Sequence, residues 1–528
     1  MELTLLNWML ALLPVLVVLV LMLVLRWGGS RAGAAGWIAA VLIAALFFAA
    51  GPRLIAYSQA KAVLLSLDVL FIIWTALLLF HAADEAGAVR VIGVSLPRLT
   101  GDRTMQGLLI GWLFASFLQG MGGFGVPVAV AAPLLVGLGF NPVQAVVMAC
   151  VGHGWAVNYG SLATSFQTLM AVTGLPGELL AHDSAWLLGI SCYACGLIVA
   201  LVAGGWRGAL RSLPAVIVLG SVMAISQYAL AVGGLWNLGA TGSSMLGLLA
   251  GIALCRLPLY RGEARAAAPA PIPNRIEINP NGKAAPPRSL KIALSAYVVL
   301  VALTFAVNLI PPLNALLDRV QLNLYFPELV SGLGWVTPAG AGRAISLFGH
   351  TGSILLYASL AAYGIYRRAG YYSPGAAARI MDKTVKGAVN SSLGILAMVG
   401  MAVVMSHAGM TNLLALGMSQ SFGPAAYPLI APFIGALGAF ITGSNNNSNV
   451  LFAVLQMRTA ELLGLSVPLI LGGQTAGGSL GSIMAPAKVI VGCSTVGLSD
   501  REGEVIGQVI RYGLAPIALV ALAAWLAA

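Results

Sequence analysis

Apolar runs long enough to cross a bilayer recur along the whole chain, and no other feature limits its fold as strongly. They lie near 4–26, 35–51, 62–81, 107–119, 142–160, 184–204, 213–232, 243–260, 289–312, 343–366, 388–408, 425–442, 466–480 and 504–527. About 17–25 such residues span the hydrocarbon as a helix, and backbone inside it must satisfy its own hydrogen bonds. The pattern therefore predicts an all-α polytopic membrane protein with about 12–14 transmembrane helices.

Charge agrees with this. Only 8% of residues are Asp, Glu, Lys or Arg, against about 25% in soluble domains. The formal charge of +11 would suggest nucleic acid in a soluble protein, but here the basic residues sit in short loops and mark topology instead. Arg26 with Arg31, Arg90 with Arg98 and Arg103, Arg207 with Arg211, the 256–291 stretch, and Arg367 to Lys386 fall on one side if spans are counted in pairs. That side is cytoplasmic and the N-terminus is outside. The first run, Leu3 to Leu25, follows Glu2 rather than a basic region and reads as a retained span. Cys192 and Cys195 form an isolated pair on an apolar run and read as packing residues, as do Cys150, Cys255 and Cys493.

Residues 261–288 change character, with six prolines among alanine and charged residues, and read as an extended cytoplasmic linker. They divide the chain into membrane halves 1–260 and 289–528. A similar rhythm runs through both. Gln119-Gly120-Met121-Gly122-Gly123-Phe124-Gly125-Val126-Pro127 leads to Asn141-Pro142 and Gly160-Ser161; Thr442-Gly443-Ser444 through Asn449 leads to Val467-Pro468 and Gly477-Gly478-Ser479. This spacing predicts two related halves, each with a broken, Gly-rich, re-entrant-like hairpin, near 119–137 and 442–457.

The run Gly443 to Asn449 is polar but uncharged, and it lies between two apolar segments. Unpaired polar groups at that depth cost about 2–7 kcal/mol each, so such a patch belongs in a cavity or in protein interior. Backbone N–H groups at broken helix ends, with hydroxyl and amide donors, can hold a small anion without any cation. The candidate binding residues are Gly122, Gly123 and Gly125 in the first hairpin, Ser444, Asn445, Asn446, Asn447 and Ser448 in the second, and Gln474, Thr475 and Ser479 beyond it. Ionisable groups inside spans are functional candidates by default. Asp68 and His153 are the candidates for proton coupling; His81, His350 and His407 stand at span ends, and Lys488 could attract an anion or reach the interface. No catalytic motif, metal-ligand pattern or cofactor signature is present.

Gly-Phe-Gly-Val-Pro at 123–127, Leu134 to Phe140 with Pro142, Gly443-Ser444 through Phe452 with Gln456, and Val496-Gly497-Leu498 with Arg501-Glu502 resemble the bacterial lactate permease family, over about residues 60–525. The resemblance implies a cytoplasmic-membrane symporter that takes up lactate or glycolate with a proton. Gln119, Asn445 and His81 depart from it, standing where that family commonly carries two acids and a lysine. Coupling by Asp68 or His153, by another ion, or none, therefore stays open.

The reading is a secondary transporter, not an enzyme, in the bacterial inner membrane. Its partners are a small carboxylate, a proton or sodium ion, and the lipid bilayer. It has no nucleic-acid partner, and a homo-oligomer stays open. The alternative is a sodium-linked or uncoupled carrier of another small organic anion, with Asn445, Asn447 and Asn449 as oxygen ligands. A channel is a further rival, but a simple pore does not need two broken hairpins.

Overall fold

A computed structural model of the protein describes residues 2–25, 27–96, 99–123, 125–261, 289–342, 344–498 and 501–528. Most of the Pro-rich 261–288 stretch, together with Arg26, Arg98 and Phe124, lies outside the described residues.

The expected all-helical membrane architecture is what forms. Among the described residues, nine helices are long and apolar enough to cross a bilayer. The expected crossings 184–204 and 213–232 belong to a single element, Gly177–Val232, which bends sharply where Gly205 adopts φ 65°. Polarity is inverted relative to a soluble globule. Leu5, Leu46, Leu249 and Leu526 are exposed on the outside, whereas Asn158, Asn449, Gln456, Gln474, Thr475 and Ser479 are fully buried. Lipid tails cover such an apolar surface, and the polar interior becomes the place where function is sought.

Two long helices, Pro52–Glu85 and Ala376–His407, pack together and set the frame. Glu85 closes one end of the pair, accepting from Arg379 Nε at 2.7 Å and Lys383 Nζ at 3.0 Å, while Trp74 Nε1 donates to Ser392 Oγ at 2.9 Å further along. This basic end also holds the salt bridge of Arg211 with Asp102 at 3.7 Å.

The first hairpin starts at the same end. Asp102 caps a helix covering 103–121, which takes wider π-type turns over Leu108–Phe114. It breaks at its Gly122 end, Gly123 and Gly125 hold φ of 54° and 90°, and the chain then returns as Val126–Gly137. The Arg103 guanidinium donates to Gly139 O at 3.0 Å, so the hairpin closes at the end where it began. Pro142–Gly152 then leads inward, breaks at His153, and continues as Gly160–Thr173 toward the opposite end.

The second hairpin starts from that opposite end. The chain reaches it along Ala376–His407, turns through Met410–Ser421, and descends as Tyr427–Thr442. After Gly443 at φ 75° it rises again as Asn445–Leu463. Tyr427 OH donates to Gln456 Oε1 at 2.6 Å and ties the two arms. Val467–Ile483 follows, breaks at Met484–Ala485, and continues as Pro486–Thr495. Val467–Ile483 packs on Tyr427–Thr442 by glycine: a Cβ on Gly477 would stand 1.9 Å from Pro432 O, and one on Gly435 would stand 2.0 Å from Gln474 O. Small residues let membrane helices approach this closely.

An interrupted antiparallel ribbon in 321–346 has no counterpart in the expected elements. Its nested ladders pair Gln321–Leu322 with Ile345–Ser346, Tyr325–Phe326 with Gly340–Ala341, and Leu329–Val330 with Val336–Thr337. Each strand has only two residues, too few to leave an alternating signal.

Candidate functional site

The polar run 443–449 is not a loop. Only Gly443 and Ser444 break the helix, and Asn445 begins the next one. Helical spacing then sends the amides in different directions, because residues three or four apart share a face. Asn445, Ser448 and Asn449 face Val467–Ile483, Asn446 and Asn449 face Gly160–Thr173, and Asn447 lies toward Gly29. Ser444 is a half-buried N-cap whose side chain makes no capping bond.

Thr475 is the hub. Its Oγ1 accepts from Asn445 Nδ2 at 3.2 Å and Asn449 Nδ2 at 2.9 Å, and donates to Asn158 Oδ1 at 2.6 Å. Asn445 Nδ2 also donates to Ser479 Oγ at 3.1 Å. Ser165 Oγ donates to Asn446 Oδ1 at 2.5 Å, and Ser165 O accepts from Asn449 Nδ2 at 3.0 Å. A second layer runs from Ser448 Oγ through Gln474 Nε2 at 3.1 Å to Gln456 Nε2 on Gln474 Oε1 at 3.0 Å. The structure thus joins Asn445, Asn446, Ser448, Gln474, Thr475 and Ser479 into one buried network.

Four of its members are not among the candidate binding residues: Asn158, Ser165, Asn449 and Gln456. Asn449 is named only as a cation ligand and Gln456 only in the resemblance, and nothing in the local pattern of Asn158 or Ser165 separates them from packing residues. Several buried groups of the network lack a partner: Asn158 Nδ2 as a donor, and Asn445 Oδ1 and Asn449 Oδ1 as acceptors. Asn445 Oδ1 occupies the space over Gly478, where a Cβ would come within 2.0 Å.

The first-hairpin glycines lie beside this network rather than in it. Gly122 packs on the Phe80 ring, Gly123 lies against Ser161 and Gln119, and Gly125 faces Val491. Ser161, Leu162 and Ala163 all adopt left-handed φ, between 46° and 65°, immediately after the break that carries Asn158. Each costs about 1–2 kcal/mol for an L-residue, and such strain concentrates at functional sites.

The titratable candidates are separated. Asp68 Oδ1 contacts His350 Nε2 at 2.9 Å, against the Phe71 ring. His350 Nδ1 accepts from Gly352 N, so the ring proton lies on Nε2 and points to the carboxylate. His153 donates from Nδ1 to Ala149 O at 2.6 Å, leaving Nε2 without a partner. Lys488 is buried and donates to Ser482 Oγ at 3.0 Å at the second break. His81 is placed on Pro52–Glu85 beside Phe80, near the basic end.

A cavity of about 570 Å³ opens on the side away from the basic end. Its walls include Lys61, Met170 to Glu178, Trp236, Ser406, His407 and Val454. Met170 and Val454 each lie five residues beyond Ser165 and Asn449, so at about 1.5 Å per residue the network begins about 7–8 Å below the cavity wall.

An apolar exterior, a buried uncharged polar centre between broken helices, and a cavity opening on one side define a multi-pass membrane transporter of the permease type. The sequence pattern of the L-lactate permease family extends over residues 7–528, and the chain belongs to that family. It is 27% identical to the L-lactate permease of Bacillus subtilis, covering 99% of this chain and 96% of that one. It is 26% identical to the glycolate permease GlcA of Escherichia coli, covering 96% and 93%. The YdaH transporter of Alcanivorax borkumensis, a solved structure, aligns over 90% of this chain and 87% of its own with a TM-score of 0.49 and 16% identity.

Proposed function

We propose that the chain carries small 2-hydroxymonocarboxylates of the lactate and glycolate kind, taken up with a proton and bound at the Asn445–Thr475–Asn158 network. The single observation that carries this is the unpartnered set there. Asn158 Nδ2 is a free buried donor, while Asn445 Oδ1 and Asn449 Oδ1 are free buried acceptors. A carboxylate needs donors and an α-hydroxyl needs an acceptor, so one small molecule can use both. The relatives named for lactate and glycolate support the same substrate class.

Two halves built on one plan, inserted with opposite orientation, account for the hairpins closing at opposite ends. Each hairpin is followed by a left-handed glycine, Gly139 or Gly464, then a cap, Asn141 or Ser466, and a proline in the first helical turn. Alternating access then exposes the shared centre to each side in turn. Asp68 with His350, and His153 with its free Nε2, are the buried groups that could carry the proton. The sodium reading draws less support, since Asn447 lies toward Gly29 while Asn445 Oδ1 sits over Gly478, so the amide oxygens do not converge.

The test is uptake of labelled L-lactate and glycolate into proteoliposomes, with pH and sodium gradients imposed separately. Accumulation under the pH gradient alone, lost in Asn445→Ala, is expected. Uptake that follows sodium and ignores pH would refute the proton-coupled reading, and no uptake by correctly folded protein would refute the substrate class.

A further inference from the structure

The cavity wall holds a cation that the amide network does not use. Lys61 is half-buried on Pro52–Glu85, and among the described residues no carboxylate lies within ion-pair reach of it. His407, 4% exposed, shares the wall with Lys61 at the end of Ala376–His407. Both lie far from the basic end: Lys61 is 24 residues, about 36 Å, from Glu85 along one helix.

The hydrogen bonds fix the histidine tautomer. Ser58 Oγ donates its only proton to Leu54 O at 2.7 Å, so at its 2.9 Å contact with His407 Nδ1 it must accept. Nδ1 therefore carries the ring proton, and Nε2 is a lone pair that repels a carboxylate until it takes up a second proton. A carboxylate seated between the two groups is attracted by the ammonium and by a doubly protonated ring, so anion and proton favour each other's binding.

Among the described residues, the charged and titratable groups around His407 are few, and Gly29–Phe47, which packs on the same helix, carries a charge only at Arg31 in its first turn. Pro52–Glu85 contributes Lys61, and Gly177–Val232 contributes Glu178 on the exposed rim. Met410–Ser421 carries no charge, and Asn445–Leu463 presents Val454, its Arg458 being paired with Glu461 at 2.7 Å. Beside the polar Thr173 and Ser406, the wall also presents Leu65, Met170 and Trp236, which suit a short carbon chain.

We infer that Lys61 Nζ and His407 Nε2 form a docking site for a small monocarboxylate anion at the mouth of the cavity, where loading draws one proton onto His407 from the water outside. Ser58 acts as a positioning residue that holds the tautomer. The site rests on the reading of the chain as a carboxylate carrier, and it supplies that reading with the step at which acid and proton first meet.

Calorimetric titration of the purified full chain with L-lactate and with glycolate, repeated in two buffers of different ionisation enthalpy, counts the protons taken up. The wild-type chain is expected to take up about one proton per acid bound. His407→Gln keeps a donor but cannot take up the proton, so binding survives and proton uptake is lost. Lys61→Met is expected to weaken binding about tenfold or more, and Lys61→Arg to retain it. Elution volume and melting temperature show that each variant is folded. Wild-type proton uptake in His407→Gln, unchanged affinity in Lys61→Met, or no binding of either acid by the wild type would each overturn the site. Vesicle uptake separates the two ideas. Binding with His407-dependent proton uptake but no transport would sink the carrier reading alone, whereas transport indifferent to both substitutions would sink the docking site alone.

Discussion

Thr475 shows how much one hydroxyl can organise. It accepts two amide donors from Asn445–Leu463 and gives its proton to a third amide, Asn158, in the break before Gly160–Thr173. Thr475→Val keeps the shape and removes all three bonds. It is expected to cost about 1–2 kcal/mol, read as a lower melting temperature in detergent, and to reduce lactate uptake about tenfold. Gly478→Ala tests the neighbouring contact, since its methyl group would meet Asn445 Oδ1. The melting temperature is expected to fall, and Asn445→Ala in the same background makes room for the methyl, which a double-mutant cycle in melting temperature would read as non-additivity. At this scale the sequence was informative about residue type and not about direction. Asn445 to Asn449 could be read as a buried polar patch because no charge interrupts it. That Asn447 lies toward Gly29, and that Ser165 meets Asn446, depends on helix rotation and on a partner nearly three hundred positions away, which no local pattern encodes. Lys61 did leave a signal, being an ionisable residue at the edge of an apolar run, but it reads equally well as an interfacial lysine.

The two hairpins were the most legible elements, since clustered glycines that interrupt an apolar run break a helix where the membrane tolerates such a break only inside protein or beside a cavity. The break positions were less so. Gly443 takes the left-handed conformation that ends Tyr427–Thr442, and Asn445 to Asn449 then follow helix rules rather than loop rules. The ribbon at 321–346 went unread because two-residue strands carry no period. Helix contact makes its own prediction. Gly477→Leu must push Val467–Ile483 away from Pro432 O, and a packing defect of this kind costs about 1–3 kcal/mol or more. Loss of folded protein on size-exclusion chromatography is expected, with Gly507→Leu, where nothing lies within 4 Å of the Cβ position, as a contrast for crowding.

For the whole molecule, basic loops and apolar runs together indicated an orientation that the structure lets one test by labelling. The five cysteines of the chain are all buried, so single introduced cysteines report cleanly. Gly334→Cys, at the ribbon tip, is expected to react with a membrane-impermeant maleimide in intact cells, and Ser373→Cys, beside Arg379, only after permeabilisation. The reverse pattern would invert the topology. Length and hydropathy sufficed for this level because crossing a bilayer is a one-dimensional requirement, whereas the meeting of the halves is a three-dimensional one. The left-handed residues Ser161, Leu162 and Ala163 bear on how such a molecule spends its time. Together they hold about 3–6 kcal/mol that a relaxed backbone would release. Releasing about 2.8 kcal/mol of it in another conformation would change the ratio of two states roughly a hundredfold. The turn then behaves as a wound spring, favouring any conformation of the molecule in which these three residues relax.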